Sequence, residues 1–141
     1  MCIAIAAAVL AVSVPVHAES EKGRPKENGI LCAYMTVVSV WGAAKACYPE
    51  RDPEWIEALD EAVAKLDEFV LRNHPEATPE LVEEFKEYHG NVWKKYSPDG
   101  TCATGGGEYE QFISNWTPGE FMEWVDGWVS VDVVPAFNPC Y

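Results

Sequence analysis

Cys32 and Cys47 bracket a run, LCAYMTVVSVWGAAKAC over residues 31–47, in which Lys45 is the only charge. The run must be a membrane span, an export signal or the central helix of a small domain, and each choice leaves a different set of cysteines to pair. A span needs about 20 apolar residues, and Ile30 to Ala44 supplies 15. A second apolar segment stands upstream. Met1 to Ala18 is apolar from Cys2 to Val14 apart from Ser13 and closes on Val16-His17-Ala18, a small-x-small ending suited to signal peptidase, although no Lys or Arg precedes it. Residues 1–18 therefore read as a signal peptide. If residues 31–47 were instead the signal, Lys22, Arg24 and Lys26 would form its basic flank and cleavage after Ala46 would leave three cysteines. Cleavage after Ala18 leaves Cys32, Cys47, Cys102 and Cys140, an even set that suits an oxidising compartment, so parity favours the earlier cut.

As a helix, the run puts Cys32, Thr36, Ser39, Ala43 and Cys47 on one stripe of small side chains, against which another segment can pack closely. Apolar residues cover the remaining faces, which predicts burial all round. The β-branched residues Thr36, Val37, Val38 and Val40 support the competing reading as a strand. Fifteen helical residues at about 1.5 Å each separate Cys32 from Cys47 by roughly 22 Å, so the two cannot pair with each other. Two connectivities remain: Cys32 with Cys102 and Cys47 with Cys140, or Cys32 with Cys140 and Cys47 with Cys102.

Residues 19–29 are polar, contain Pro25 and lack periodicity, which predicts a flexible arm. Residues 30–141 then form a single helical domain. Asp52-Pro53-Glu54 opens a second helix, with Ile56, Leu59, Val63, Leu66 and Val70 on its inner face and the pairs Glu61/Lys65 and Glu68/Arg72 outside. Thr78-Pro79-Glu80 opens a third, with Leu81, Val82, Phe85 and Tyr88 facing inward, Gly90 as its stop and Trp93 and Tyr96 as a potential extension. Ser97 to Gly107 reads as a turn-rich loop carrying Cys102, followed by a short helix through Tyr109, Phe112, Ile113 and Trp116. Thr117 and Glu120 form a capping-box pattern for a fifth helix, and Val129 to Tyr141, with Pro135 and Pro139, reads as an extended tail. The fold class is thus mainly α: a small disulfide-linked bundle of four to five helices.

Ten basic and 23 acidic residues give a formal charge of −13, which repels phosphate backbones and argues against nucleic acid as a partner. Thirteen acids and four bases between Tyr48 and Gly90 concentrate a net −9 there. Such a segment is a solvated outer face or a docking surface for a cationic protein. The residues that would form the docking surface are Glu54, Glu57, Asp60 and Glu61 on the second helix, with Glu80, Glu83, Glu84 and Glu87 on the third. The six tryptophans suit core packing, with an exposed aromatic platform as the rival reading. His74 and His89 are expected at the surface, and no His or Cys spacing suggests a metal site. No motif implies a catalytic residue or a cofactor, and no stable membrane span is expected after processing.

In outline, Cys32 to Pro75 resembles small periplasmic immunity proteins that neutralise secreted toxins, through two cysteine positions and the His74-Pro75-Glu76 turn. The resemblance implies a leader, paired cysteines, short helices and an inhibitory role. The functional expectation is an acidic, disulfide-stabilised binding or inhibitory protein, periplasmic or secreted, that engages a cationic envelope protein or toxin. Its rivals are an envelope enzyme acting on a glycan or peptide, which needs two carboxyls of divergent pKa in a cleft, and an acid-stress folding helper. The oligomeric state is open.

Overall fold

A computed structural model describes residues 29–95 and 102–137, so the expectations for the signal peptide, most of the arm, Tyr96 and Cys140 lie outside the described residues. Five α-helices, α1 (Ile30–Cys47), α2 (Pro53–Asn73), α3 (Pro79–Gly90), α4 (Cys102–Asn115) and α5 (Pro118–Val129), surround one core, and a 3-10 turn spans Val92–Lys95. Among the described residues there is no strand. The helical reading of residues 31–47 is therefore correct. Burial on several faces, from Tyr34 and Val37 to Val40 and Ala44, outweighs the β-branched composition of the run. α1 passes the length and composition test for a membrane span, but 56% of its apolar window is buried inside the protein, where α2, α3 and α4 pack around it.

α2 lies between α1 and α5, and this explains why its buried face is wider than the sequence stripe. Trp55, Ala58, Ala62 and Phe69 join Leu59, Val63, Leu66 and Val70 in the core, whereas Ile56 is half-buried. Pro53 occupies the first turn of α2, but Asp52 makes no side-chain cap. Its carboxylate instead accepts a hydrogen bond from the Tyr109 hydroxyl of α4 at 3.1 Å. The capping box of α5 forms as expected: the Glu120 N–H donates to Thr117 Oγ1 at 3.3 Å, and the Thr117 N–H donates to Glu120 Oε2 at 2.9 Å.

α3 departs from its inward face as read. Val82 is buried and Phe85 stacks on Tyr34 with ring centres 4.7 Å apart, but Leu81 and Tyr88 are 52% and 57% exposed. Those two lie seven residues apart on one edge, about 100° around the helix from Val82. The extension to Trp93 is also not helical in the same sense. α3 ends at Gly90, and the 3-10 turn buries the Trp93 ring separately.

The turn-rich loop ends sooner than the glycines suggest. Cys102 to Gly107 is helical, continuous with the short helix expected around Tyr109. Each glycine in a helix interior costs about 1 kcal/mol relative to alanine. The Cys47–Cys102 disulfide, with Cα atoms 5.3 Å apart, anchors the first residue of α4 to the last residue of α1 and supplies locally what propensity does not. This bond also selects between the two open connectivities. Cys32 is disulfide-bonded as well.

The tail after α5, expected to be extended, has no regular secondary structure among the described residues. Val131 and Val134 are 61% and 63% exposed, while Pro135 is buried. It returns to the start of α1, where the Leu31 N–H, unsatisfied within its own helix, donates to the Ala136 carbonyl at 3.2 Å. The Phe137 carbonyl oxygen lies 3.2 Å from Cys32 Sγ.

Candidate functional site: an acidic face on two helices

Five cations hold the bundle together, and each reaches an acid on another element or loop. Lys45 of α1 pairs with Asp60 of α2 at 2.8 Å, Lys65 of α2 with Asp126 of α5 at 2.6 Å, and Arg72 of α2 with Asp132 of the tail at 3.1 Å. Arg51, between α1 and α2, makes a two-pronged contact with Glu110 of α4. Lys86 of α3 reaches Asp67 of α2 at 2.8 Å. The expected i,i+4 pairs are present too, Glu61 with Lys65 at 2.9 Å and Glu68 with Arg72 at 3.6 Å. The cations on which sequence spacing showed a single neighbour are therefore shared with a second acid some 60 residues away.

Against that framework the eight candidate carboxylates separate. All are exposed, on helices that touch each other. Asp60 accepts from Lys45 and from Trp41 Nε1, the latter at 2.6 Å. Partial burial raises its pKa, but these two donors outweigh burial and hold the group below the ordinary aspartate value. Glu61 is held by Lys65, and Glu83 by Lys86 at 2.6 Å. Glu80 turns back on the N-terminus of α3, where its own backbone N–H and then the Thr78 hydroxyl lower its pKa. Glu54, Glu57, Glu84 and Glu87 have no basic partner among the described residues. The eight carboxylates thus divide into four engaged within the protein, Asp60, Glu61, Glu80 and Glu83, and four without a basic partner among the described residues, two on each of two helices in contact.

Sequence reasoning missed the polar junction beneath this face. The buried Tyr34 hydroxyl of α1 donates to Asp67, whose other oxygen accepts from Lys86. Burial first, then the bond to Asp67, raises the Tyr34 pKa well above the usual tyrosine value. Burial would lower the Lys86 pKa, but Asp67 and Glu83 reverse it and raise it. The heptad relation of Asp60 and Asp67 on one flank of α2 was the available signal.

The aromatic platform does not form. Trp55 and Trp93 are buried, and the partly buried Trp116/Trp124 and Trp124/Trp128 pairs are tilted by 47° and 76°. His74 and His89 are both partly exposed, His89 lying against Phe85 with ring centres 4.3 Å apart. Among the described residues no three His, Cys, Asp or Glu side chains group as metal ligands would. A groove of about 610 Å³ opens between α1, the end of α3 and the second half of α4. The small-residue stripe of α1 faces this region: Thr36 and Ser39 line the groove, while Cys47 meets α4 through its disulfide.

No known protein family, curated protein or solved structure matches the chain.

Proposed function

We propose that this is an exported binding or inhibitory protein, of the periplasm or secreted, whose α2–α3 face engages a cationic envelope protein or toxin. One observation carries the reading: the cations within the α2–α3 segment are consumed by intramolecular pairs, so the field of Glu54, Glu57, Glu84 and Glu87 is not cancelled locally. Uncompensated charge of one sign accelerates encounter with the opposite sign and selects among partners, and ionic strength screens it over about 10 Å at 0.1 M salt.

The test is affinity capture of basic envelope proteins by the oxidised chain at low and high salt, beside a Glu57→Lys/Glu84→Lys variant. A specific cationic protein held at low salt, released at high salt and lost in the variant supports the reading. Failure to retain such a protein, or retention unchanged by the charge reversal, removes it.

A further inference from the structure

α4 is held at two places. Its second half is anchored by packing: Tyr109 is fully buried, donates to Asp52 at 3.1 Å and stacks on Tyr48 with ring centres 5.2 Å apart. Glu110 takes the two-pronged contact from Arg51, and Phe112 meets Trp55 of α2 and Phe121 of α5 edge-on. Its first residue is anchored by the bond from Cys102 to Cys47. Between the two anchors stands Gly105-Gly106-Gly107, and no other described helix has even two adjacent glycines. We propose that the Cys47–Cys102 disulfide is a local redox switch: reducing it melts residues 102–107 while residues 109–115 stay folded.

Neither packing nor backbone conformation calls for glycine at Gly107. A Cβ built there meets nothing within 4 Å, and its φ lies outside the left-handed region. At Gly42, by contrast, the Gly90 backbone leaves no room for one. What glycine does in α4 is weaken the helix. In a helix interior it is about fivefold less favourable than alanine, so three in succession oppose the helix by on the order of a hundredfold. Helix propagates cheaply from an existing turn but only through residues that favour it. Without the disulfide, residues 102–107 can be reached only by propagation back from Tyr109 through all three glycines. With it, Cys102 is held against the end of α1 and the helix is fixed at both ends.

Both cysteine residues are partly exposed, which gives a small dithiol access. One thiolate of the dithiol attacks one sulfur and forms a mixed disulfide, and the other cysteine leaves as a thiolate that takes a proton. The second thiol of the reagent then displaces the first cysteine. Two electrons and two protons pass to Cys47 and Cys102, and the dithiol ends as its own disulfide; an oxidised dithiol reverses each step. The switch involves neither the acidic face nor export, so it stands or falls apart from them.

Amide hydrogen exchange read by mass spectrometry, comparing the oxidised chain with Cys47→Ser/Cys102→Ser, tests it. Without the bond, amides of residues 103–107 are expected to exchange within about threefold of an unstructured peptide, while residues 109–115 and the other helices stay at least about tenfold slower than one. Gly105→Ala/Gly106→Ala/Gly107→Ala in the same serine background should restore protection at residues 103–107 by about tenfold or more. Dithiothreitol, with alkylation and peptide mapping to identify the freed thiols, should open Cys47–Cys102 in the folded parent chain and give the same pattern, reversed on reoxidation. Loss of protection throughout the chain overturns the proposal, because the bond then staples the whole fold. Unchanged protection at residues 103–107, alanines that restore none, or a bond that dithiothreitol opens only in the unfolded chain overturns it as well.

Discussion

A single methyl group at Gly42 should destabilise the fold, whereas the same methyl at Gly90 should not. The two glycines meet where α1 and α3 cross. A Cβ built at Gly42 would lie 1.9 Å from the Gly90 carbonyl oxygen and 2.6 Å from its carbonyl carbon and Cα. These are backbone atoms of another helix, so relief requires α3 to move away from α1 and to take Phe85 off Tyr34 and Lys86 off Asp67 with it. A Cβ at Gly90 would find the Trp41 ring and the Val38 carbonyl at 3.7 Å, an ordinary contact.

The magnitudes oppose each other at Gly42. Alanine gains about 1 kcal/mol of helix propensity over glycine. Overpacking a dense core costs about 1–3 kcal/mol and more where the backbone must shift, and a clash with three backbone atoms belongs at or above the upper limit. The net expectation for Gly42→Ala is a loss of about 2 kcal/mol or more, or a fall in Tm of at least about 8 °C. Gly90→Ala should be neutral or gain up to about 1 kcal/mol. Urea and thermal unfolding followed by far-UV circular dichroism, with Trp fluorescence as a second probe, measures both. A Gly42→Ala variant within about 0.5 kcal/mol of the parent, or a Gly90→Ala variant equally destabilised, would refute the close-approach argument.

Other consequences are as direct. Lys86→Met leaves Asp67 facing only Tyr34 at a junction where the Lys86 and Asp67 side chains are 14% and 19% exposed, and should cost about 1–3 kcal/mol; Tyr34→Phe, which leaves the ion pair intact, should cost about 1 kcal/mol, both by urea denaturation. Peptide mapping of the oxidised chain should return Cys47 joined to Cys102 and Cys32 joined to Cys140, and Cys47→Ser/Cys102→Ser should lose about 4 kcal/mol in the chain-entropy model for the 55-residue separation. Asp60 has a depressed pKa in the folded state, so it contributes stability above the unfolded value of about 3.9 and loses it as pH falls through the lower folded value. With side chains nearly half exposed the pair is screened, and the difference between parent and Asp60→Asn should be under about 1 kcal/mol at pH 7 and shrink as the pH falls below the unfolded value.

What could be read in the sequence was whatever depends on local chemistry. Pro53, Pro79 and the Thr117/Glu120 box marked helix starts because proline geometry and capping bonds act within one turn. The exclusion of a Cys32–Cys47 bond followed from helix length alone. What failed depended on distant partners. Leu81 and Tyr88 are apolar, and only the course of α1 decides that they face outward. Cys102 to Gly107 has the composition of a turn, and the disulfide to α1 keeps it helical. Asp52 occupies a capping position by every local rule, yet Tyr109, 57 residues away, takes its carboxylate. The eight candidate acids are all at the surface; of the four that are engaged, Glu61, Glu80 and Glu83 find their partners within their own helix or its cap, and only Asp60 depends on another element, through Lys45 of α1.

That division also bears on what an acidic surface is for. If solubility alone set the composition, acids and bases could be interspersed at little cost, since mixed signs keep a surface hydrated as well as one sign does. Here Lys45, Lys65, Arg72 and Lys86 each bridge instead to an acid of another element, and the exposed positions 54, 57, 84 and 87 are glutamates with no basic partner among the described residues. The individual bridges contribute little, a few tenths to about 1 kcal/mol each for exposed pairs. Their larger effect is on the field: an Arg or Lys folded onto an acid of the next helix no longer screens the carboxylates beyond it. The same pairs that help to register α2 against α1, α3, α5 and the tail thus leave Glu54, Glu57, Glu84 and Glu87 without a basic neighbour, so the bundle's internal electrostatics and the sign of its exposed charge are two results of one arrangement of charges.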